Sequence, residues 1–311
     1  MTQLDAETRG QIGAAIATGG LEPQAVAQIV AETPEETLRE LLTGEIRAAA
    51  VEQIIERFPD YVDAERTADV EAAVGWEILD GEQTERFIVA FDRGRVSAGR
   101  DLGAEPLVTL TLDAVDFLRL ATGNADPATL FLSGRLQLEG DELFAIEMAS
   151  FLRIPGAAGT TSGERALDPG AVDATRIAAV VRDAPADALR RGMSGPIRDL
   201  ILEEIFRRFP EYYRPGAGAV DAAIAFKITG RADGGADRYR VRIAGGEVLA
   251  GRDLDVDPRV TIVIDGPGFL KLVTGNANPV TSFITGKLRI KGDLAFAAQI
   301  PGLFRIPSAA A

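Results

Sequence analysis

Hydrophobic and polar residues alternate with a period of two in several short segments of the chain. In residues 238–243, Tyr239, Val241 and Ile243 are separated by arginines, and residues 135–139 and 287–291 show the same alternation. Side chains of a strand point to opposite faces in turn, so this pattern predicts strands with one covered face and one face in water. Something apolar must therefore cover one side of the predicted sheet.

Two longer segments, at about 45–58 and 196–209, have the apolar spacing of an amphipathic helix. The predicted stripes are Ile46, Ala50, Ile54 and Phe58 in the first segment, and Ile197, Ile201, Ile205 and Phe209 in the second. A Phe-Pro pair follows each stripe and is expected to end the helix, because a residue before proline disfavours the helical conformation. Helices of this kind covering strands predict a two-layer α/β sandwich.

Residues that favour the ends of helices predict shorter helices further along the chain. Gly123 suits the left-handed position after a helix, and Asp126-Pro127 and Asn278-Pro279 each combine a capping side chain with a proline in the first helical turn. Pro301-Gly302 interrupts the last predicted helix and is expected to kink or shorten it. A short helix is also predicted to start at Pro34 and at Pro185.

The chain repeats itself. Residues 98–141 match residues 250–293 without a gap, and up to Pro155 and Pro307 about half of the aligned positions are identical. Residues 54–62 also match residues 205–213, so the copies begin near Leu21 and Val172. Self-similarity of this length predicts two copies of one domain in tandem.

We place the first domain at 1–155 and the second at 167–311, each with additional N-terminal helices, at about 1–43 and 167–192. Residues 156–166 between them are small, polar and rich in Gly, Ala, Thr and Ser. That composition is typical of a flexible linker.

Composition excludes several kinds of chemistry. The chain has no histidine and no cysteine, which removes disulfides, Cys/His zinc sites and the Ser-His-Asp and Cys-His nucleophiles. The net charge of −14 argues against nucleic-acid binding, which depends on clustered Lys and Arg. No apolar stretch is long enough to span a bilayer and the N-terminus lacks the pattern of a signal peptide, so a cytoplasmic location is expected.

The charge is unevenly distributed between the halves. Residues 1–157 contain 29 acidic and 12 basic residues, whereas residues 158–311 contain 18 acidic and 21 basic residues. The excess of Arg over Lys and the abundance of Ala and Gly are typical of a GC-rich bacterial genome, where an acyl chain is a more expected ligand than a sterol. Arg100-Asp101 and Arg252-Asp253 are interpreted as local ion pairs or turns, worth about 0–1 kcal/mol if exposed.

The segment from Leu107 to Asp141 resembles the sterol carrier protein type 2 domain. The resemblance rests on a helix ending in Thr-Gly, a short second helix, and a strand that starts at Ser133-Gly134-Arg135-Leu136 and closes on Gly140-Asp141. The second copy repeats it with Thr285-Gly286-Lys287-Leu288 and Gly292-Asp293. About 110 residues of each copy are covered.

The resemblance implies a curved, mostly antiparallel sheet of about five strands with helices on one face, twice in tandem. It also implies an apolar tunnel between the layers for a fatty acid, fatty acyl-CoA or sterol-like lipid, with no catalysis, metal or cofactor. The residues expected to line it are Trp76, Phe87, Phe117, Phe131, Phe144, Met148, Phe151, Phe226, Tyr239, Phe269, Phe283, Phe296, Ile300, Leu303 and Phe304. The same side chains would equally fill a solid core.

Three functions remain open at this level. The first is binding and transfer of a hydrophobic small molecule, with the second copy more tolerant of an anionic head group because Lys287, Arg289 and Lys291 replace Arg135, Gln137 and Glu139. The second is a protein–protein module with a solid core, docking onto a partner or between the oppositely charged halves. The third is an isomerase or cyclase that uses pocket carboxylates on a hydrophobic substrate.

Overall fold

Each copy folds around its own five-stranded sheet. The computed structural model describes residues 22–81, 83–154, 174–214 and 220–306. Two compact units, Met1–Asp168 and Pro169–Ala311, contain the first and the second copy, which are called the first and second repeat below. The predicted linker at 156–166 and the predicted extension over residues 1–21 lie outside the described residues.

The first repeat contains six described helices and five strands. The helices are α1 (Pro23–Glu32), α2 (Glu35–Leu41), α3 (Gly44–Glu56), α4 (Ala114–Ala121), α5 (Pro127–Leu132) and α6 (Glu142–Phe151). The strands are β1 (Glu71–Asp80), β2 (Gln83–Asp92), β3 (Arg95–Gly99), β4 (Val108–Asp113) and β5 (Gln137–Gly140). A single 3-10 turn over Phe58–Tyr61 follows α3.

The second repeat has the same order of elements. Its described helices are α7 (Ala174–Asp183), α8 (Ala186–Gly192), α9 (Ile197–Tyr212), α10 (Gly266–Val273), α11 (Pro279–Ile284) and α12 (Leu294–Leu303). Its strands are β6 (Ala222–Thr229), β7 (Ala236–Ala244), β8 (Glu247–Gly251), β9 (Val260–Asp265) and β10 (Leu288–Gly292). Among the described residues, no helix has the length and apolarity needed to cross a bilayer.

The two sheets have one topology. Their strand orders are β3-β2-β1-β4-β5 and β8-β7-β6-β9-β10. The central pairs, β1 with β4 and β6 with β9, are parallel, and the other pairs are antiparallel. The predicted fold class, a mostly antiparallel five-stranded sheet in a two-layer sandwich that occurs twice, is confirmed.

One face of each sheet is covered by helices. In the first repeat, alternate residues of β1, β2 and β4 form one apolar cluster with side chains from α3, α4 and α6. On β7, Tyr239, Val241 and Ile243 are buried, as the alternation predicted. Burying apolar area between the layers is the main term that stabilises such a sandwich.

The predicted caps form hydrogen bonds. Asp126 accepts a hydrogen bond from the Thr129 N–H at 2.7 Å, and Asn278 accepts one from the Thr281 N–H at 3.0 Å. Gly123 adopts φ +72° after α4, a left-handed conformation that glycine reaches without strain. These local predictions are confirmed in both repeats.

The Phe-Pro pair ends the long helix in the first repeat but not in the second, and Pro301 does not shorten the last helix, where a kink stays a prediction. In the second repeat α9 continues past Phe209 to Tyr212 with Pro210 inside it. Likewise α12 is as long as α6, ten residues, with Pro301 near its end. A proline in the last turn removes one helical hydrogen bond but does not have to stop the helix.

The buried ridge of the long helix is also shifted from its predicted position. In α9 the buried residues are Arg198, Leu202 and Phe206, whereas Ile197, Ile201, Ile205 and Phe209 are only half-buried. In α3 the buried residues are Arg47, Ala50, Val51 and Ile55. Of the stripe predicted for the first repeat, Ala50 and Phe58 are therefore buried, whereas Ile46 and Ile54 are half-buried. The hydrophobic pattern missed this ridge because an arginine, which normally lies in water, begins it.

Candidate functional site

The interlayer space of the first repeat is centred on Trp76, the only tryptophan of the chain. Trp76 on β1 pairs in register with Phe87 on β2. The indole lies edge-on to the Phe117 ring of α4, with centroids 5.3 Å apart, and its centroid is 6.2 Å from that of Phe58. All four side chains are buried.

A second group of side chains covers the sheet beside β2. The Phe151 ring of α6 is 6.1 Å from Phe91 and 6.4 Å from Phe144, in both cases edge to face. Met148 on the same helix is buried with them. The structure thus brings six predicted lining residues of the first repeat to the interlayer; these are Trp76, Phe87, Phe117, Phe144, Met148 and Phe151.

The interlayer space of the second repeat is built from rings around Phe206. Phe206 on α9 stacks on Tyr239 with centroids 4.0 Å apart, and its centroid is 5.4 Å from those of both Phe226 and Phe269. Phe226 and Phe269 also contact each other at 5.6 Å. The sequence did not single out Phe206. A helical spacing that counts Arg198 together with Leu202 and Phe206 would have found it.

The C-terminal helix extends this aromatic cluster. Phe304 lies 5.3 Å from Phe209 and is buried, as are Phe296 and Leu303, whereas Ile300 is half-buried. The predicted lining residues of the second repeat that lie in the interlayer are therefore Phe226, Tyr239, Phe269, Phe296, Leu303 and Phe304.

Phe131 and Phe283 do not belong to this interior. Phe131 is half-buried, and Phe283 is 43 % exposed on α11, a helix with no buried side chain. In the first repeat α5 is anchored by the buried Leu130 and Leu132. The second repeat has Ser282 and the 77 % exposed Ile284 at these positions, so α11 has no buried anchor and Phe283 is not enclosed between the layers.

Each interior contains an aromatic side chain whose buried polar atom makes no well-formed hydrogen bond within the described residues. These atoms are the Nε1 atom of Trp76 in the first repeat and the hydroxyl oxygen of Tyr239 in the second. Burial raises the pKa of Tyr239 to about 12, and the nearby Arg252 only partly opposes this rise. Most buried polar groups are paired, so an unpaired atom within an apolar layer needs an explanation.

A buried ion pair ties the long helix of the second repeat to its sheet. The Arg198 Nε donates to Asp237 at 2.8 Å, and both side chains are at most 2 % exposed. Arg198 also donates to the carbonyls of Met193, Ile228 and Thr229. This set of hydrogen bonds satisfies most donors of the buried guanidinium.

The first repeat has a more exposed version of this contact. Arg47 pairs with Glu85 and with Asp80, and Glu85 also binds Arg100 at 2.7 Å. Burial alone would raise the pKa of Glu85, but the two arginines hold it below its ordinary value. Arg100 lies over the Phe87 ring at 4.4 Å.

Of the two interpretations of Arg100-Asp101 and Arg252-Asp253, local ion pair or turn, the local ion pair is wrong. Arg100 pairs with Glu85 and Glu52, and Arg252 pairs with Asp237, Asp199 and Glu203. Both arginines also lie over the aromatic ring of β2 or β7. Contacts with distant strands and helices are favoured because the chain brings several carboxylates around each guanidinium.

The buried carboxylates are paired with arginines. In the first repeat Asp116 binds Arg135 through both oxygens, at 2.6 and 2.9 Å, and in the second repeat Asp237 binds Arg198. Among the described residues, no group of Asp and Glu could hold a metal ion. These carboxylates therefore stabilise the fold, and they do not form a pair facing one cavity.

An open cleft of about 390 Å³ lies outside the interlayer space of the second repeat. It is lined by Gly275, Asn276, Ala277, Asn278, Pro279 and Ile306. None of the predicted lining residues contributes to it. The cleft is a surface feature of the loop between α10 and α11.

Comparison with known proteins connects this architecture to a family. Sterol carrier protein 2 of Gallus gallus is 27 % identical over 135 residues, 43 % of this chain and 23 % of that protein. Sterol carrier protein 2 of Homo sapiens is 29 % identical over 107 residues, 34 % of this chain and 19 % of that protein. The chain therefore spans less than a quarter of the length of these relatives.

Solved structures match part of the chain. The solution structure of palmitated SCP2L2 from Aedes aegypti matches with 21 % identity and a TM-score of 0.28, covering 33 % of this chain and 90 % of that one. The model of the SCP-2 sterol transfer family matches twice, at residues 51–153 and 202–305. Because these two matches lie in the two repeats and together cover about two thirds of the chain, the chain belongs to the SCP-2 sterol transfer family and carries two of its domains in tandem.

Proposed function

We propose that one or both repeats bind the apolar chain of a lipid between the sheet and the helices and transfer it without catalysing a reaction. The ligand class is a fatty acid, a fatty acyl-CoA or a sterol-like lipid. The proposed domains are residues 1–155 and 167–311, and the proposed location is the cytoplasm. Membership of the SCP-2 sterol transfer family supports lipid binding and transfer in general.

The observation that carries the proposal is the unpaired polar atom in each apolar interior. The Trp76 N–H and the Tyr239 hydroxyl are buried among rings, and neither makes a well-formed hydrogen bond within the described residues, although Arg252 lies close enough to the Tyr239 hydroxyl to oppose the rise in its pKa. Leaving such a group unpaired costs about 1–3 kcal/mol. A lipid with a carbonyl, carboxyl or hydroxyl group would supply the partner and remove this cost.

Apolar burial is sufficient to drive the proposed binding. Each methylene removed from water contributes about 0.8 kcal/mol, so a long acyl chain gains on the order of 10 kcal/mol before costs. Association and ordering offset several kcal/mol of that gain. Micromolar affinity therefore requires an apolar space of adequate length and few polar contacts.

The first test is native mass spectrometry of the full chain before and after incubation with a fatty acid, an acyl-CoA and a sterol. We expect added mass corresponding to one or two lipids per chain. A chain that takes up none of the three would contradict the proposal and favour a protein-binding module.

Fluorescence then assigns the ligand to a repeat. Trp76 is the only tryptophan and reports on the first repeat alone. The double variant Trp76→Phe, Phe226→Trp moves the reporter to the corresponding position of the second repeat, so the pair serves as matched controls. A lipid that adds mass but changes neither emission spectrum binds outside the interlayer space, which would also contradict the proposal.

A further inference from the structure

The first repeat holds one carboxylate among three arginines. Glu35, at the start of α2, is 2.9 Å from Arg39, 3.5 Å from Arg119 and 2.8 Å from Arg135. Burial alone would raise the pKa of Glu35, but these arginines hold it below its ordinary value. The three guanidinium groups therefore converge on one point that accepts a negative charge.

The second repeat keeps the three cations and lacks the carboxylate. Arg190, Lys271 and Lys287 stand at the positions of Arg39, Arg119 and Arg135, whereas Ala186 stands at the position of Glu35. Gly268 likewise replaces Asp116, the second acidic partner of Arg135. Both carboxylates that bind Arg135 in the first repeat are therefore absent at the equivalent positions of the second repeat.

These cations have no replacement partner in the part of the chain that the structure describes. None of the salt bridges there involves Arg190, Lys271 or Lys287, and Arg190 donates only to the Ala186 carbonyl of its own helix, at 3.3 Å. The neighbouring acids are engaged: Asp187 binds Arg191, and Asp265 caps α10 through the Gly268 N–H.

The frame that carries the three cations is the same in both repeats. Asn124 donates to the Ala27 carbonyl at 2.8 Å, and Asn276 donates to the Ala178 carbonyl at 2.7 Å. The same hydrogen bond therefore joins α1 to the loop after α4 in the first repeat and α7 to the loop after α10 in the second. Leu38 and Leu118 are buried in the first repeat, and their counterparts Leu189 and Leu270 are buried in the second. The helix pair α8 and α10 also pack against each other, as α2 and α4 do.

We propose that Arg190, Lys271 and Lys287 form an oxyanion site in the second repeat, where a carboxylate or phosphate group takes the place that the Glu35 carboxylate occupies in the first. The site rests on the proposed function only in assigning this oxyanion to the head group of a bound lipid. A free inorganic anion has the same chemistry, and the two sources are separated by experiment.

The test uses the full chain with three probes. These are dodecyl phosphate, dodecanol and inorganic phosphate, with the amphiphiles kept below the concentration at which they form micelles. Calorimetry measures affinity, and amide NMR shifts of α8 and α10 locate the anion. We expect dodecyl phosphate to bind about tenfold more tightly than dodecanol, the gain expected from a few exposed ion pairs. Added salt should reduce this gain.

The decisive variant is Ala186→Glu, which restores the carboxylate of the first repeat. Ala186 is exposed at the first position of α8, so the change is compatible with the fold. It should remove the preference for the phosphate head group, while Ala186→Gln, of equal size and neutral, should retain it. The reciprocal Glu35→Ala should create a weaker site in the first repeat, where Asp116 still binds Arg135.

The outcomes separate this site from the proposed function. Equal affinity for dodecyl phosphate and dodecanol, or a preference that Ala186→Glu leaves intact, overturns the oxyanion site and leaves lipid binding standing. If inorganic phosphate shifts α8 and α10 while neither amphiphile binds, the site is supported as one for a free anion and the lipid proposal fails.

Discussion

In the first repeat Ile55 lies on the buried face of α3, whereas the same position of α9 in the second repeat holds Phe206. In the interior of the first repeat, Trp76 has two ring neighbours, Phe58 and Phe117. Around Phe206 the rings of Tyr239, Phe226 and Phe269 are all in contact. One fold therefore accommodates two differently filled interiors, because the sheet and helix positions are set by many residues and the filling by a few.

The charged contacts of the two repeats also differ, in how far the ion pairs are exposed to water. The first repeat has the denser exposed network around Glu35, and the second has the more deeply buried pair, Arg198 with Asp237. Exposed pairs contribute little to stability, whereas breaking a buried pair is costly. In both repeats an arginine of the long helix binds a carboxylate of the sheet, but only in the second repeat is the pair fully enclosed.

The largest effect is expected from removing the buried arginine. Arg198→Ala leaves Asp237 buried with fewer partners and should lower the free energy of unfolding of the second repeat by about 3–5 kcal/mol. Arg47→Ala is the matched change, and it should cost less, about 1–3 kcal/mol, because Glu85 keeps Arg100. Urea unfolding followed by hydrogen exchange of β1 and β6 measures each repeat separately. Equal losses in the two repeats would contradict the distinction.

Exchanging the central residue of the helix face tests the difference in filling. Phe206→Ile should destabilise the second repeat by about 1–3 kcal/mol, less than the 3–5 kcal/mol typical of Phe→Ala. The space that it opens should increase lipid uptake in native mass spectrometry. Ile55→Phe is the reciprocal change, and overpacking should cost the first repeat about 1–3 kcal/mol. Unchanged stability in both variants would show that these positions do not determine the filling.

A smaller change in stability is expected from removing the Tyr239 hydroxyl in the second repeat or adding a hydroxyl at the same position of the first. The two changes should have opposite signs. Tyr239→Phe removes an unpaired buried group and should stabilise the second repeat by about 1 kcal/mol, whereas Phe87→Tyr adds one and should destabilise the first. Thermal unfolding with both variants measures the two signs. If Tyr239→Phe is instead destabilising in the lipid-free protein, the hydroxyl has a partner and the proposal for its role in lipid binding is wrong.

The smallest effect is a shift in titration. Burial raises the pKa of Tyr239 from its ordinary value of 10.0 to about 12. The unfolded chain releases this proton first as pH rises, so the contribution of Tyr239 to stability is complete below pH 10 and is lost between about pH 10 and pH 12. Ultraviolet titration of tyrosinate should show a late step that disappears in Tyr239→Phe. A titration without that step would contradict the burial of the hydroxyl.

Local features were predictable because they depend on neighbouring residues. The alternation in residues 238–243 predicted which side chains of β7 are buried, and Asp126-Pro127 predicted the start of α5. Both follow from backbone geometry within a few residues. For the same reason, two similar copies of the pattern predicted two copies of the fold.

Features that depend on distant partners were not predictable in this way. Arg198 looks like a solvent-exposed residue in the sequence and is buried because Asp237, 39 positions further on, lies beside it. Phe283 looks like its buried aromatic neighbours and is exposed because Ser282 lacks the apolar side chain that anchors α5 in the first repeat. In each case the outcome depends on a second residue whose position only the folded chain defines.

The sequence by itself determined that the domain is duplicated and that strands are combined with covering helices in each copy. It also excluded chemistry that depends on histidine or cysteine, since the chain contains neither residue. Only the tertiary structure decided that Phe206 is the centre of the second interior and that three arginines surround Glu35. Periodicity reports which face of an element is apolar. The side chains that meet across the layers depend on long-range packing, which a one-dimensional pattern does not record.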